Sequence, residues 1–217
     1  MDLLDFARGP GLQLAVLIFV AGLLWRLLHL FLAPKKVDIS EARQSGEIGG
    51  GIRTIFSRFM HHEPFRKRTR NGTILAYTMH LGLAVIVFGG APHILFINSF
   101  TGLDWTPLPT IVIHIAAALT LAALLTSIGR RLTHPVLKLI SNFDDYFSWL
   151  VTTLPVLTGL LTVAHVGARY ETLLAVHILS FEVFLIWFPF GKLMHSIIVF
   201  GSRYTTGVTF TRRGART

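Results

Sequence analysis

Residues 172–200 read TLLAVHILSFEVFLIWFPFGKLMHSIIVF, a run in which Glu182 and Lys192 are the only acidic or basic side chains apart from two histidines. At a rise of about 1.5 Å per residue such a run, wound as one helix, crosses a hydrocarbon core about 30 Å thick with length to spare. Four more stretches have the same character, at about 12–32, 73–97, 108–128 and 146–166. Together they account for most of the apolar content of a 217-residue chain that is 52% hydrophobic, with a mean hydropathy of +0.60. Only 14% of the residues are charged, against about 25% in ordinary soluble domains. Soluble globular, disordered and fibrous classes are excluded. The reading is one all-α integral membrane domain, residues 1–217, built on five transmembrane helices.

The first stretch follows an acidic start, Asp2 and Asp5, and carries Arg26 and His29. It lacks the basic leader and small-residue cleavage site of a signal peptide, so it is expected to be a retained span. Orientation follows from the Lys and Arg count. Nine lie between the first two spans, at 35, 36, 43, 53, 58, 66, 67, 68 and 70. Arg130, Arg131 and Lys138 follow the third span, and Arg203, Arg212, Arg213 and Arg216 follow the fifth. The opposite side has Arg8 and Arg169. The amino terminus is expected outside and the carboxyl terminus in the cytoplasm. The net charge of +9 then reports basic loops facing anionic membrane lipid, not a nucleic-acid partner.

The long basic loop, residues 33–72, contains Gly49-Gly50-Gly51 and then apolar residues at 52, 55, 56, 59 and 60. That is helical spacing with arginines opposed. It predicts an amphipathic segment in the interface plane, a surface on which a cytoplasmic partner can also dock.

There are no cysteines. Disulfides, cysteine-ligated iron–sulfur clusters, structural Cys zinc sites and covalent c-type haem are excluded. There are ten histidines, several at membrane depth, where ionisable residues are functional hypotheses by default. Imidazole ligates haem b without any cysteine. In a continuous last helix, His177 and His195 are eighteen residues, or five turns, apart and share a face. His80, about seven residues into the second span, is level with His195. Near the other surface, His93 and His114 are the candidate partners of His177. His93 follows Gly89-Gly90-Ala91-Pro92, where a helix kinks or opens, so its facing is not set by helical phase. The competing reading of any single intramembrane histidine is a helix–helix hydrogen bond. His61, His62 and His134 fall in basic loops, and His29 and His165 near span ends. Glu182 is off the histidine face and is expected to pair with a neighbouring helix or to relay protons. His165, Arg169, Glu171 and Asp104 join His93 and His114 as candidate proton-exchange groups on the outer side.

The segment Phe188-Pro189-Phe190-Gly191-Lys192-Leu193-Met194-His195, with His177 before it, resembles the gamma subunit family of respiratory nitrate reductase. The relatives of that family include the membrane cytochromes of sulfite-reductase-linked and heterodisulfide-reductase-type complexes. The likeness extends to Met79-His80-Leu81-Gly82, Gly129-Arg130-Arg131-Leu132, Asp145 and Gly159-Leu160-Leu161-Thr162, and covers about residues 73–205. The resemblance implies a five-helix haem-binding bundle in a prokaryotic inner membrane, with one b haem near each surface. It implies an electron-transfer subunit of a quinol-oxidising complex, which passes electrons from quinol to cytoplasmic iron–sulfur or reductase subunits. Carried over by position, His80 and His195 ligate the inner haem and His177 one side of the outer haem. The family's second histidine on helix two stands about ten residues after the first, and here that position is Gly90. His93 or His114 then completes the outer site, or a single haem is bound. A non-redox membrane anchor or scaffold subunit is the alternative.

Overall fold

Apolar runs without a two-residue period fold as helices throughout the described residues, 2–34, 38–61 and 63–215, of the computed structural model. Lys35, Lys36, His62 and Arg216, counted above, lie outside them. Helix α1 (Leu3–Phe6) passes through a π-helical turn, Ala7–Gly11, into α2 (Leu12–Leu32). Pro10 within that turn lacks the amide a regular turn would bond, and the wider turn absorbs the gap. Then come α3 (Glu47–Ser57), α4 (Glu63–Gly89), α5 (Ala91–Thr101), α6 (Thr110–Thr133), α7 (Pro135–Ile140), α8 (Phe143–Ala164) and α9 (Tyr170–Trp187). A 3-10 turn, Lys192–Met194, leads into α10 (His195–Arg212).

Five of these segments are long and apolar enough to cross a membrane: Leu3–Leu32, α4, α6, α8 and α9. The chain is a multi-pass membrane protein. In space the crossing helices follow the order α4, α6, α8, α9, α2. Small residues set the close approaches, as expected where lipid provides no hydrophobic drive between helices. A Cβ on Gly82 of α4 would collide with the Thr120 hydroxyl of α6. Trp149 of α8 donates its indole N–H to the Leu124 carbonyl of α6 at 2.8 Å.

Two predicted spans are corrected. The last, 172–200, is not one helix: α9 ends at Trp187 and His195 starts α10. Pro189 cannot donate to the helical ladder. The amides of Phe190 and Gly191 both turn back on the Trp187 carbonyl at 3.0 Å. Pro189 is buried against α2, where a Cβ on Gly22 would lie 2.7 Å from its Cγ. Phe188 packs edge-on to Phe19, and Phe190 lies beside Trp25. The five-turn register between His177 and His195 therefore does not exist. The second predicted span, 73–97, also breaks. It starts ten residues earlier, at Glu63, and stops at Gly89, and α5 begins after Gly90 with Pro92 in its first turn. The carbonyls freed at the break find donors. Trp105 Nε1 bonds the Phe88 oxygen at 2.6 Å and the Leu108 amide bonds that of Gly89 at 2.9 Å.

The basic loop supplies α3, which lies along α10. Its glycines form a contact surface: Gly50 faces Thr211, Gly51 faces Tyr204, and a Cβ on Gly207 would sit 2.5 Å from the Gly50 carbonyl. Ile52 and Phe56 of the predicted stripe are exposed, as is Ile48 one turn earlier, while Ile55 is half-buried and Phe59 and Met60 lie beyond the end of α3. Arg212 joins the ends of the pair through Glu47 at 3.3 Å and Asp38 at 3.8 Å. The Ser40 hydroxyl and amide hold the Asp38 carboxyl below its ordinary range, with Arg212 and Arg213 adding to this.

Candidate functional site

His80 on α4 and His195 at the start of α10 come together with ring centres 6.0 Å apart and planes at 84°. His93 on α5 and His177 on α9 do the same at 6.1 Å and 42°. The two pairs lie at different levels of the bundle. They bridge two chain segments whose backbones pack elsewhere, α4 on α6 and α5, α9 on α8 and α2. Side chains, not backbones, span the interval between α4–α5 and α9–α10.

Each ring is fixed through Nδ1. His80 Nδ1 lies 2.7 Å from the Ala76 carbonyl, His195 Nδ1 2.7 Å from that of Lys192, and His93 Nδ1 2.9 Å from that of Ile86. A carbonyl oxygen only accepts, so in these three rings Nδ1 carries the proton and donates. The neutral ring then presents its lone pair at Nε2. His177 Nδ1 meets the Thr158 hydroxyl at 3.2 Å, and that hydroxyl also contacts Ser180 Oγ at 3.0 Å. The ring of His177 lies over Gly159, where a Cβ would stand 3.1 Å from Cε1. Such a second partner on Nδ1 is the usual device for orienting a metal-binding imidazole.

The helix break explains His93. Gly90 stands where a Cβ would come within 2.9 Å of the Ile86 oxygen and 3.2 Å of His93 Nδ1. The absence of a side chain there lets His93 fold back to the Ile86 carbonyl from the start of α5. His114 sits half-buried on α6 and, among the described residues, has no hydrogen-bond or ring partner. The structure brings His93, not His114, to His177.

The position of His195 depends on a network at the basic end. Asn142 caps α8 in a reciprocal capping box with Asp145. Asp145 binds Arg131 at 3.0 Å and the Lys192 ammonium at 2.6 Å. Asp144 accepts from the Lys192 amide at 3.0 Å and from Ser148 Oγ at 2.7 Å, and Ser148 Oγ accepts from Trp187 Nε1 at 2.9 Å. The first turns of α8 thus hold both ends of the Phe188–Met194 break. Arg131, Asp145 and Lys192 were visible as separate motif residues. Asp144, Ser148 and Thr158 gave no sequence signal beyond lying beside them, and Trp105 gave none.

Glu182 departs from expectation. It is 6% exposed and packs against Gly11 in the π turn, and its Oε1 has no hydrogen-bond partner among the described residues. Of the outer-side groups, His165 ends α8 in the left-handed conformation, φ 54°, beside the Tyr170 ring at 5.4 Å.

The donor sets fit haem. An imidazole nitrogen ligates a metal at about 2 Å, so two rings on opposite sides of one metal have centres roughly 6 Å apart. Both pairs stand at that separation with Nε2 unused. Among the described residues no group of three or more His, Asp or Glu converges; a haem would ask only two nitrogens of the protein, its macrocycle supplying the other donors.

No family model matches the chain, and no solved structure matches it. A curated protein of Nitratidesulfovibrio vulgaris, named simply "Protein", is 27% identical over 217 residues, spanning 98% of this chain and 96% of its own length.

Proposed function

We propose that this protein is a membrane cytochrome b subunit that holds two haems, one between His80 and His195 and one between His93 and His177. It takes electrons from quinol and passes them to an iron–sulfur or reductase partner at its basic face. The observation that carries the reading is the paired geometry: two histidine couples at two levels, each near 6 Å, with Nδ1 engaged at every ring. The likeness of the second and last spans to dihaem membrane cytochromes is an independent support. A haem b, when bound, supplies a reversible one-electron couple tuned by its axial ligands and surroundings.

The residues of the chain do the rest. The Ala76, Ile86 and Lys192 carbonyls and the Thr158 hydroxyl orient the four rings and raise their basicity as ligands. Asp144, Asp145 and Lys192 fix the turn that delivers His195 to the level of His80. The chain has no cysteine, so the next electron carrier beyond the membrane belongs to another polypeptide. The basic end, which carries Arg130, Arg131 and the α3–α10 pair, is the face offered to it. By the count of basic residues that face is cytoplasmic. Quinol oxidation near the His93–His177 end then moves charge across the membrane.

Adding a quinol to the purified, oxidised protein tests this reading. The b-type absorbance rises within the mixing time if the quinol is oxidised here. A protein reduced by dithionite but never by any quinol contradicts the quinol assignment. A second expectation concerns Gly159→Val. The added side chain starts 3.1 Å from His177 Cε1 and pushes the ring off Thr158. It should remove the His93–His177 haem and leave the other, read as half the reduced-minus-oxidised absorbance with one redox midpoint in place of two.

A further inference from the structure

At the basic end a cleft of about 750 Å³ opens between the end of α3, the start of α4 and the middle of α10. Three arginines from three different elements line it: Arg58, Arg66 and Arg203. His61, Ser202 and Thr206 add further polar groups, and Glu63 is the one acidic side chain among the lining residues. Arg203 is held in place, donating to the Ile55 carbonyl at 3.2 Å with its guanidinium 4.6 Å over the Phe59 ring. Arg58 and Arg66 form no ion pair among the described residues. The cleft therefore carries a concentrated positive charge that the protein leaves largely uncompensated, and with the Thr206 and Thr69 hydroxyls donating to the Ser202 and Phe65 carbonyls, the guanidinium groups are its principal donors. That is the donor chemistry of a phosphate site, in which guanidinium forks bind phosphate oxygens two at a time.

Size and surroundings narrow the ligand. The volume lies in the range of sites for drug-sized molecules, larger than a single inorganic ion needs. The edge of the cleft is apolar and exposed: Met60 at 75% and Phe65 at 60%, with Phe56 of the α3 stripe at 68% nearby. The cleft also sits where α4 passes from its charged first turns, through Thr69 and Thr73, into the apolar part of the span. A soluble anion makes no use of the apolar edge, whereas a phospholipid uses both. Basic pockets between helices at the cytoplasmic surface are recognised lipid-headgroup sites in general.

We infer that this cleft is a binding site for the headgroup of an anionic phospholipid, with the acyl chains lying along Met60, Phe65 and the exposed face of α3. The lipid fills the angle between the α3–α10 pair and α4. It thereby braces the segment that begins with His195, although the site itself does not depend on the haem assignment.

The test uses the full chain in detergent, delipidated and then mixed with phosphatidylcholine vesicles with or without phosphatidylglycerol. Wild type should bind the phosphatidylglycerol vesicles selectively, retain that lipid in native mass spectrometry and gain thermal stability from it. The double variant R58Q/R66Q should lose roughly twenty-five-fold in affinity, about fivefold for the charge-assisted hydrogen bonds that each arginine gives the headgroup. The charge-matched control R68Q/R70Q, outside the cleft, should stay within about twofold of wild type. Equal loss in the control would reduce the effect to net charge and overturn the proposal. So would equal retention of phosphatidylcholine. Millimolar inorganic phosphate that reproduces the stabilisation would assign the cleft to a free anion and overturn it as well. R58Q/R66Q removes exposed side chains that form no hydrogen bond or ion pair among the described residues, so its fold, checked by helical circular dichroism, is expected to match wild type.

Discussion

If the proposed haem sites are right, replacing His80 or His195 with alanine is expected to remove one b haem and leave the other, and replacing His93 or His177 to remove the complementary one. The expected reading is half the wild-type haem per polypeptide in each single variant, and none in His80→Ala/His177→Ala. The reason is geometric. Among the described residues each histidine's one ring partner is the other member of its pair, and each is held through its own Nδ1 contact. Without one imidazole, a single protein nitrogen would be left to hold a haem there, while the second pair, on different turns of the chain, keeps its geometry. His114→Ala is expected to keep both haems, because the His114 ring engages no partner among the described residues. A His114→Ala protein that loses one haem while His93→Ala keeps two would reverse the assignment of the outer ligand.

Gly22→Leu has the second largest expected effect, and it acts without touching a histidine. A Cβ at this position lies 2.7 Å from Pro189 Cγ and 2.9 Å from the Phe190 ring. A leucine overfills a contact in which Pro189 is already fully buried. Overpacking of this kind costs about 1–3 kcal/mol, and here the strain falls on Phe188–Gly191. That turn leads directly into Lys192, whose carbonyl orients His195. The expected outcome is loss of the His80–His195 haem with the His93–His177 haem retained, seen as one surviving midpoint in a redox titration. Gly22→Ala, with a smaller intrusion, should retain both at a lower melting temperature. Loss of the outer haem alone in Gly22→Leu would show that the turn does not position His195.

The contrast between these two residues shows what hydropathy and spacing can and cannot reveal. The spans near 12–32, 108–128 and 146–166 were legible because a membrane helix needs a long apolar run, and such runs are hard to conceal. The last span was misread for the same reason. Phe188, Pro189, Phe190 and Gly191 continue the apolar run, so hydropathy passes over a break that Pro189 and Gly191 mark only locally. The break is stabilised by Asp144, Ser148 and Gly22, which are far away in sequence, and no period in the last span reports them. His177 and His195 consequently lie on separate helices, and their common face was an artefact of assumed continuity. The pairing of His80 with His195 was reached from span ends that both prove misplaced, because α4 begins at Glu63 and α9 ends at Trp187, before His195. The family resemblance implies a ligand at the position of Gly90, and the fold gives the glycine there a different role. The glycine admits the fold-back of His93 onto Ile86. The α3 stripe was legible as amphipathic spacing, whereas its glycine contact with α10 needed the tertiary structure.

The buried carboxyl of Glu182 gives a further expectation. With Oε1 unpartnered against Gly11, the side chain carries a desolvation cost that a hydrogen-bonded group would not. Glu182→Gln keeps the shape and removes the ionisable group. Its melting temperature is expected to equal or exceed that of wild type, with both haems retained. A lower melting temperature would show that the carboxyl is paired in the membrane.

The most direct test of the central claim is haem content. Wild-type protein is purified in detergent, its helical content and melting temperature are recorded to show that it is folded, and haem is quantified per polypeptide as the pyridine haemochrome. Two b haems per chain is the predicted result. One haem or none, in a folded preparation supplied with haem during expression, contradicts it.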